Sequence, residues 1–77
     1  MVQAYILIQT EVGRASQVVE GIRGLSGVVE VDVVTGNYDA IVKAQADTPD
    51  ELAKLVVSDI QSVEGITRSI TCMVVHI

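Results

Sequence analysis

The chain of 77 residues has few of the residues with which small proteins form stabilising disulfides and metal sites. It contains one cysteine and one histidine, so an internal disulfide and a cysteine-histidine metal cluster are both excluded within one chain. A chain of this size buries only about 60% of the surface that it exposes when unfolded. The sequence therefore predicts that self-association supplies the missing stability, and it predicts no metal or other cofactor.

Basic and aromatic residues are also scarce. Five basic residues stand against ten acidic ones, which gives a net charge of -5, and two tyrosines are the only aromatics. Direct nucleic-acid binding is not expected, because it requires neutralisation of phosphates. The apolar run at residues 4–8 is far shorter than the about 20 residues of a membrane span, and it has no signal-peptide flanks. The single cysteine fits a reducing compartment, so we expect a cytoplasmic, non-membrane protein.

Along the chain, segments with the composition of strands alternate with segments whose apolar residues have the spacing of helices. Four segments have the β-branched composition of strands, and they span residues 2–9, 28–34, 40–46 and 66–77. Between them, apolar residues recur at helical spacing over residues 15–25 and 52–63. Thr48, Pro49 and Glu51 form a capping-box start signal for the second helix.

The resulting order of elements, β-α-β-β-α-β, is supported by an internal echo. Residues 22–28 and 60–66 each contain a helix end, a glycine and the start of a strand. Two such halves predict a ferredoxin-like α+β fold, in which two helices cover one face of a four-stranded antiparallel sheet. Residues 1–77 are expected to form this single domain.

The sheet face without helices is predicted to be unusually apolar. Alternation along the last strand predicts that Ile70 and Cys72 lie under the helices. The helix-free face still carries six large apolar residues, namely Leu7, Val34, Ile41, Met73, Val75 and Ile77. Such a patch is typical of an interface, so we expect a homodimer packed through these faces. The alternative is that Glu30, Asp32 and Lys43 keep the face solvated.

The densest polar feature is the sequence Gly-Asn-Tyr-Asp at residues 36–39, between the second and third strands. Its Gly-Asn pair supplies the positive φ angles of a tight hairpin, which requires no ligand. As a binding site, the turn would offer backbone N–H groups to a carboxylate, while Asp39 would pair with an ammonium group and Tyr38 would wall the pocket. Ser69 and Thr71, on one side of the last strand, could donate hydrogen bonds to the same ligand.

These motifs resemble the ligand-binding domain of the Lrp/AsnC family, also called the regulation of amino-acid metabolism domain. The resemblance covers essentially the whole chain and rests on residues 27–31, 34–39 and 65–71. It implies a ferredoxin-like fold, dimers packed through their sheets in an assembly of the dimeric α+β barrel type, octamers of four dimers and amino-acid effectors bound between subunits. Carried over by position, it nominates six ligand-binding residues, which are Gly36, Asn37, Tyr38, Asp39, Ser69 and Thr71. Position 37 is often acidic in the family, whereas this chain has Asn.

Family regulators carry a helix-turn-helix domain before this module, whereas here the first strand follows Met1 directly. The resemblance therefore implies a stand-alone, non-catalytic effector domain that modulates or joins full-length regulators, or else a segment of a longer regulator. Other interpretations stay open: a purely structural oligomerisation domain, a small enzyme of the dimeric α+β barrel type, or an ACT-type regulatory domain. The enzyme hypothesis is the weakest, because Asp39 and His76 have no identifiable catalytic partners.

Overall fold

A computed structural model describes residues 1–76. Its elements are β1 (Val2–Thr10), α1 (Ala15–Arg23), β2 (Val28–Val33), β3 (Ala40–Ala46), α2 (Pro49–Lys54), a π-helical turn (Leu55–Ile60) and β4 (Ile66–Met73). The strands pair antiparallel in the order β2-β3-β1-β4. This arrangement confirms the predicted ferredoxin-like α+β fold, in which the two halves interleave their strands in one sheet.

The core lies between the helices and one face of the sheet. Along β1 every second residue is buried, and α1 presents three buried residues at helical spacing. The largest fully buried side chains come from both layers, and they are Ile6, Ile8, Ile22, Leu52, Ile60, Val18 and Val42. No polar or charged residue within residues 1–76 is buried, so this small core is uniformly apolar.

The second helix begins as the sequence predicts but does not continue as a regular α-helix. The Thr48 hydroxyl accepts a hydrogen bond from the Glu51 N–H at 3.2 Å, and Pro49 occupies the first helical position. After α2 the chain widens into the π-helical turn, in which residues five apart lie on one side. Leu55 and Ile60 are both buried as a result.

Loss of the cap at Thr48 should destabilise the fold moderately. Thr48→Ala removes the acceptor for an N–H that has no partner inside the helix, so unfolding should become easier by about 1 kcal/mol. Urea denaturation measures the change. Thr35→Ala, in an exposed loop position, is the matched control and should change the free energy of unfolding little.

The faces of β4 are the reverse of those that the sequence predicts. Thr71 pairs with Ile6 and Met73 pairs with Ala4, so both share the helix-covered face with the core of β1. Cys72 points the other way and is exposed, not buried. The placement of Met73 on the helix-free face, and with it Met73 as a residue of that interface, was therefore wrong.

The reversal has a single physical cause. The register with β1 shifts between Gln9, which pairs with Arg68, and Thr10, which pairs with Ile66. Thr67 is thus the extra residue of a β-bulge. Ile66 packs against the core, but one inserted residue turns every later side chain of β4 to the face opposite to the predicted one.

The helix-free face, called the open face below, has an apolar centre. Leu7 pairs with Ile41 on one side and Ile70 on the other, so three half-buried side chains form one row across the sheet. Leu7 and Ile41 lie on the face that the sequence predicts for them, whereas Ile70 is an addition made by the bulge. Val75 lies beyond β4 and is 74% exposed, and the prediction for Ile77 lies outside the described residues.

Candidate functional site

The connection between β2 and β3 is a loop of residues 34–39, not a tight two-residue hairpin. The half-buried Val34 donates its N–H to the Asp39 carbonyl at 3.0 Å, which closes the base of the loop. Gly36 has φ 139°, whereas no residue other than glycine has a positive φ in residues 1–76. Only Gly36 therefore needs the conformational freedom that the sequence assigned to both Gly36 and Asn37.

Asp39 connects this loop to the end of β1. Its Oδ2 accepts hydrogen bonds from the Thr10 N–H at 2.8 Å and from the Thr10 hydroxyl at 3.4 Å. Its own N–H donates to the Ile8 carbonyl at 2.8 Å. Because the bulge begins beside Thr10, the carboxylate supplies an acceptor at the end of β1 where the strand pairing is irregular. Asp39 therefore has a structural role, and its Oδ1 has no partner in the described part of the chain.

Replacement of Asp39 separates its structural role from its charge. Asp39→Ala should cost about 1–2 kcal/mol of folding free energy, because the part-buried Thr10 N–H loses its acceptor. Asp39→Asn keeps a carbonyl oxygen in that position and should cost much less. Chemical denaturation of both variants measures the difference, and equal losses would contradict the role given to the Thr10 hydrogen bond.

The loop also contains backbone N–H groups that have no acceptor in the described part of the chain. The Gln9 side-chain amide donates to the Asn37 carbonyl at 2.9 Å, which ties the tip of the loop to β1. Within residues 1–76, the N–H groups of residues 35–38 donate to no protein acceptor. Tyr38 is half-buried beside them. Backbone donors without acceptors and the unpaired Oδ1 of Asp39 thus belong to the same loop, and a zwitterion would need both kinds of group.

Ser69 and Thr71 do not join the loop within one chain. Both lie on the helix-covered side of β4, and the Ser69 hydroxyl accepts a hydrogen bond from the Gln61 amide at 3.3 Å. Strand β1 separates β4 from β3, so Asp39 and Ser69 are about 10 Å apart across two strand spacings. The six predicted residues therefore form two half-sites, and neither encloses a ligand alone.

The cavities described for this chain do not unite the half-sites. One of about 270 Å³ adjoins Ser69 and is lined by Gln61, Ile66, Thr67 and Arg68, so it offers hydrogen-bond donors without a carboxylate. Another, of about 400 Å³, lies at the opposite end of the sheet beside Gly27. Sequence reasoning missed Thr10, whose polar side chain at the end of an apolar strand was the only available signal.

Two kinds of feature are absent from the described residues, namely a metal-binding cluster and a membrane-spanning helix. No group of three or more His, Cys, Asp or Glu side chains in residues 1–76 is arranged to hold a metal ion. Within the same residues, each helix is too short and insufficiently apolar to traverse a bilayer.

Comparisons with known proteins support the family resemblance that the sequence motifs indicate. A crystal structure of TTHA0845 from Thermus thermophilus is 32% identical and has a TM-score of 0.93, and the alignment covers 100% of this chain and 96% of that one. The protein PHS023 from Pyrococcus horikoshii is 32% identical with a TM-score of 0.91, covering 100% and 93% of the two chains. The HTH-type transcriptional regulator FL11 of Pyrococcus furiosus is 35% identical over 75 residues.

The length of the match differs between these relatives. The alignment with FL11 covers 95% of this chain but 49% of the regulator, and three further HTH-type regulators from Pyrococcus species are covered over 37% of their length. This chain thus spans about half, or less, of the curated regulators that it matches. The model of the Lrp/AsnC ligand binding domain matches residues 3–77, nearly the whole sequence. The chain therefore belongs to the Lrp/AsnC ligand-binding domain family, as its motifs predict.

Proposed function

We propose that the chain is a non-catalytic, amino-acid-binding module that works as an oligomer. The observation that carries this proposal is the division of the six candidate residues into two half-sites on opposite sides of β1. Neither half-site encloses a small molecule alone, so a ligand would be held between subunits. This arrangement agrees with what the family resemblance implies for its effectors.

The chemistry of the loop half-site favours an α-amino acid. The unpartnered N–H groups of residues 35–38 would receive the carboxylate, and Oδ1 of Asp39 would receive the ammonium group. Tyr38 would contribute an apolar wall. A Neisseria meningitidis regulator with the same fold, with 18% identity and a TM-score of 0.85, was crystallised as a complex with L-Met. Amino acids are accordingly the first ligands to test.

The open face supports the assembly part of the proposal. Leu7, Ile41 and Ile70 form an apolar row in a chain too small for a large core, and their burial against a second copy would add stability. Octamers of four such dimers, and mixed assemblies with full-length regulators in the cytoplasm, belong to the same proposal because the resemblance implies them.

A second candidate is an effector domain that acts on an enzyme instead of on transcription. Homocitrate synthase of Sulfurisphaera tokodaii is 36% identical over 50 residues, which is 65% of this chain but 11% of that enzyme. Such a partial match favours a shared regulatory domain and not a shared active site. The effector-binding role would be the same in both candidates, and only the partner would differ.

A thermal-shift screen with the common amino acids tests the binding role. A ligand at about 100 times its Kd stabilises the folded state by about 2.7 kcal/mol, so a specific effector should raise Tm clearly. Asp39→Asn, which keeps the acceptor for Thr10, should lose this response. The matched control Asp47→Asn, an exposed residue after β3, should keep it. No response to any amino acid would favour the purely structural oligomerisation domain.

A further inference from the structure

Strand β4 lies at an edge of the sheet, and its free edge presents backbone groups that have no partner. The Val74 N–H donates to the Gln3 carbonyl at 2.9 Å, so the backbone groups of Val74 face β1. Successive residues of a strand point their backbone groups alternately to the two sides, so those of Ser69, Thr71 and Met73 point away from β1. Within residues 1–76, these outward groups form no hydrogen bond.

The two edges of the sheet differ in charge. Edge strands of folded proteins usually carry charged side chains, which prevent pairing with other chains. The edge strand β2 carries the exposed Glu30 and Asp32, whereas residues 69–75 at the other edge include no Asp, Glu, Lys, Arg, Gly or Pro. Two copies of β2 would oppose acidic side chains, and two copies of residues 69–75 would oppose none. The β4 edge can therefore accept a second copy of itself without charge repulsion.

Apolar surface adjoins the β4 edge. A cavity of about 210 Å³ lies between α2, the π-helical turn and β4, and no charged residue lines it. Its walls include Leu52, Ala53, Val57 and Met73, of which Val57 and Met73 are exposed. Val75 continues the exposed apolar surface beyond β4. A strand added to this edge would place every second side chain over this surface, which is how added strands are recognised at sheet edges.

We propose that β4 of a second copy pairs with this edge, so that two four-stranded sheets join antiparallel into one continuous sheet. This interface is separate from the open face. A single strand pair is marginal in water on its own, so the edge pairing rests on the proposed open-face dimer. Each open-face dimer offers two β4 edges, and the pairing therefore links dimers into larger assemblies.

The uncharged segment fixes the register of this pairing. The register that pairs the whole of residues 69–75 with the same residues of the second copy places Cys72 opposite Cys72 at a two-fold axis. Thr71 then pairs with Met73 of the second copy through their outward backbone groups. The backbone groups of Cys72 face β1, so the two Cys72 residues form a non-hydrogen-bonded pair with Cα atoms about 4.5 Å apart. A disulfide can bridge that separation, and the Cys72 side chain is exposed.

Met73→Pro tests the pairing, because it removes an N–H that points only to the free edge. In sedimentation equilibrium the wild type should exceed twice the chain mass of 8.2 kDa, whereas Met73→Pro should stop at the open-face dimer. The association of dimers should weaken at least about tenfold, since each pairing loses two backbone hydrogen bonds.

Val33→Pro is the matched control on the opposite edge strand. Val33 is 55% exposed, against 46% for Met73. Its N–H also points outward, because the next N–H, that of Val34, donates inward to the Asp39 carbonyl. Val33→Pro should therefore leave the mass of the larger assemblies unchanged.

Oxidative cross-linking tests the register independently. Under copper-phenanthroline, the wild type and Val33→Pro should form a Cys72–Cys72 disulfide between copies on a non-reducing gel, and Met73→Pro should not. If circular dichroism shows that Met73→Pro is unfolded, Met73→Lys takes its place, because a charge at the same edge position should cause the same losses.

The outcomes separate the edge pairing from the dimer on which it rests. A wild type that never exceeds twice the chain mass would overturn the edge pairing and leave the open-face dimer in place. A Met73 variant that keeps both the larger mass and the cross-link would also overturn it. A monomeric wild type would instead overturn the open-face dimer.

Discussion

Leu7→Lys should convert the assembled protein into monomers. Leu7 is the middle residue of the apolar row on the open face, between Ile41 and Ile70. Full burial of an exposed leucine contributes about 1.5–3 kcal/mol, and because Leu7 is already half-buried in one copy, each of the two copies in a dimer contributes a part of that. Loss of this burial, together with the desolvation of one ammonium group per copy at an apolar interface, should weaken dimerisation by about a hundredfold or more. The long aliphatic stem of lysine still covers the sheet, so the monomer should remain folded.

Sedimentation velocity at micromolar concentration measures this change, with Val12→Lys as the matched control. Val12 is a fully exposed apolar residue in the loop between β1 and α1, so the same type of substitution should leave the mass unchanged there. The wild type should also unfold at a lower temperature on dilution, whereas Leu7→Lys should show no such dependence. An unchanged mass for Leu7→Lys would exclude the open face as the interface.

Gly27→Ala should be among the most destabilising single substitutions in the chain. Gly27 joins α1 to β2 with φ 95°, a conformation that residues with a Cβ rarely adopt. An added Cβ would lie 2.9 Å from Leu55 Cδ2 and 3.0 Å from the Gln45 carbonyl oxygen, which is backbone and cannot move cheaply. Strain and overlap together should lower the free energy of unfolding by about 2–4 kcal/mol, measured by urea denaturation.

Gly24 provides the control for this substitution. It lies three positions earlier, at the C-terminal end of α1, with φ -86° and no atom within 4 Å of the position of an added Cβ. Gly24→Ala should therefore be neutral or slightly stabilising, because alanine reduces the freedom of the unfolded chain. Similar losses for both variants would show that the packing of Gly27 against Leu55 and Gln45 is not what constrains this connection.

Most of the fold could be predicted because local signals and the global arrangement agree. The strand at residues 40–46 has the bounds that composition indicates, and the Thr48 cap marks the start of α2. The π-helical turn was missed because its residues have the same apolar spacing as an α-helix over a short window. The wider turn shows in the backbone hydrogen bonds, such as the one from the Gln61 N–H to the Val56 carbonyl five residues earlier.

The faces of β4 could not be predicted for a related reason. A bulge depends on which strand lies alongside, and nothing local to Thr67 indicates that β1 will change register at Gln9. The contact between Thr10 and Asp39 lies beside this register shift. The sequence therefore indicated Asp39 as a functional candidate but could not indicate its structural partner. Ser69 and Thr71 were expected to join one site with the loop, and the bulge instead turned them toward the helices.

The mass of the wild-type chain in solution tests the central claim most directly, because both the shared ligand site and the pairing of β4 edges require a second copy. Sedimentation equilibrium at micromolar concentration should give at least twice the chain mass of 8.2 kDa, and an amino acid that raises Tm should strengthen the association. A single species of 8.2 kDa, unchanged by any amino acid, would contradict an effector-binding module that assembles through its open face.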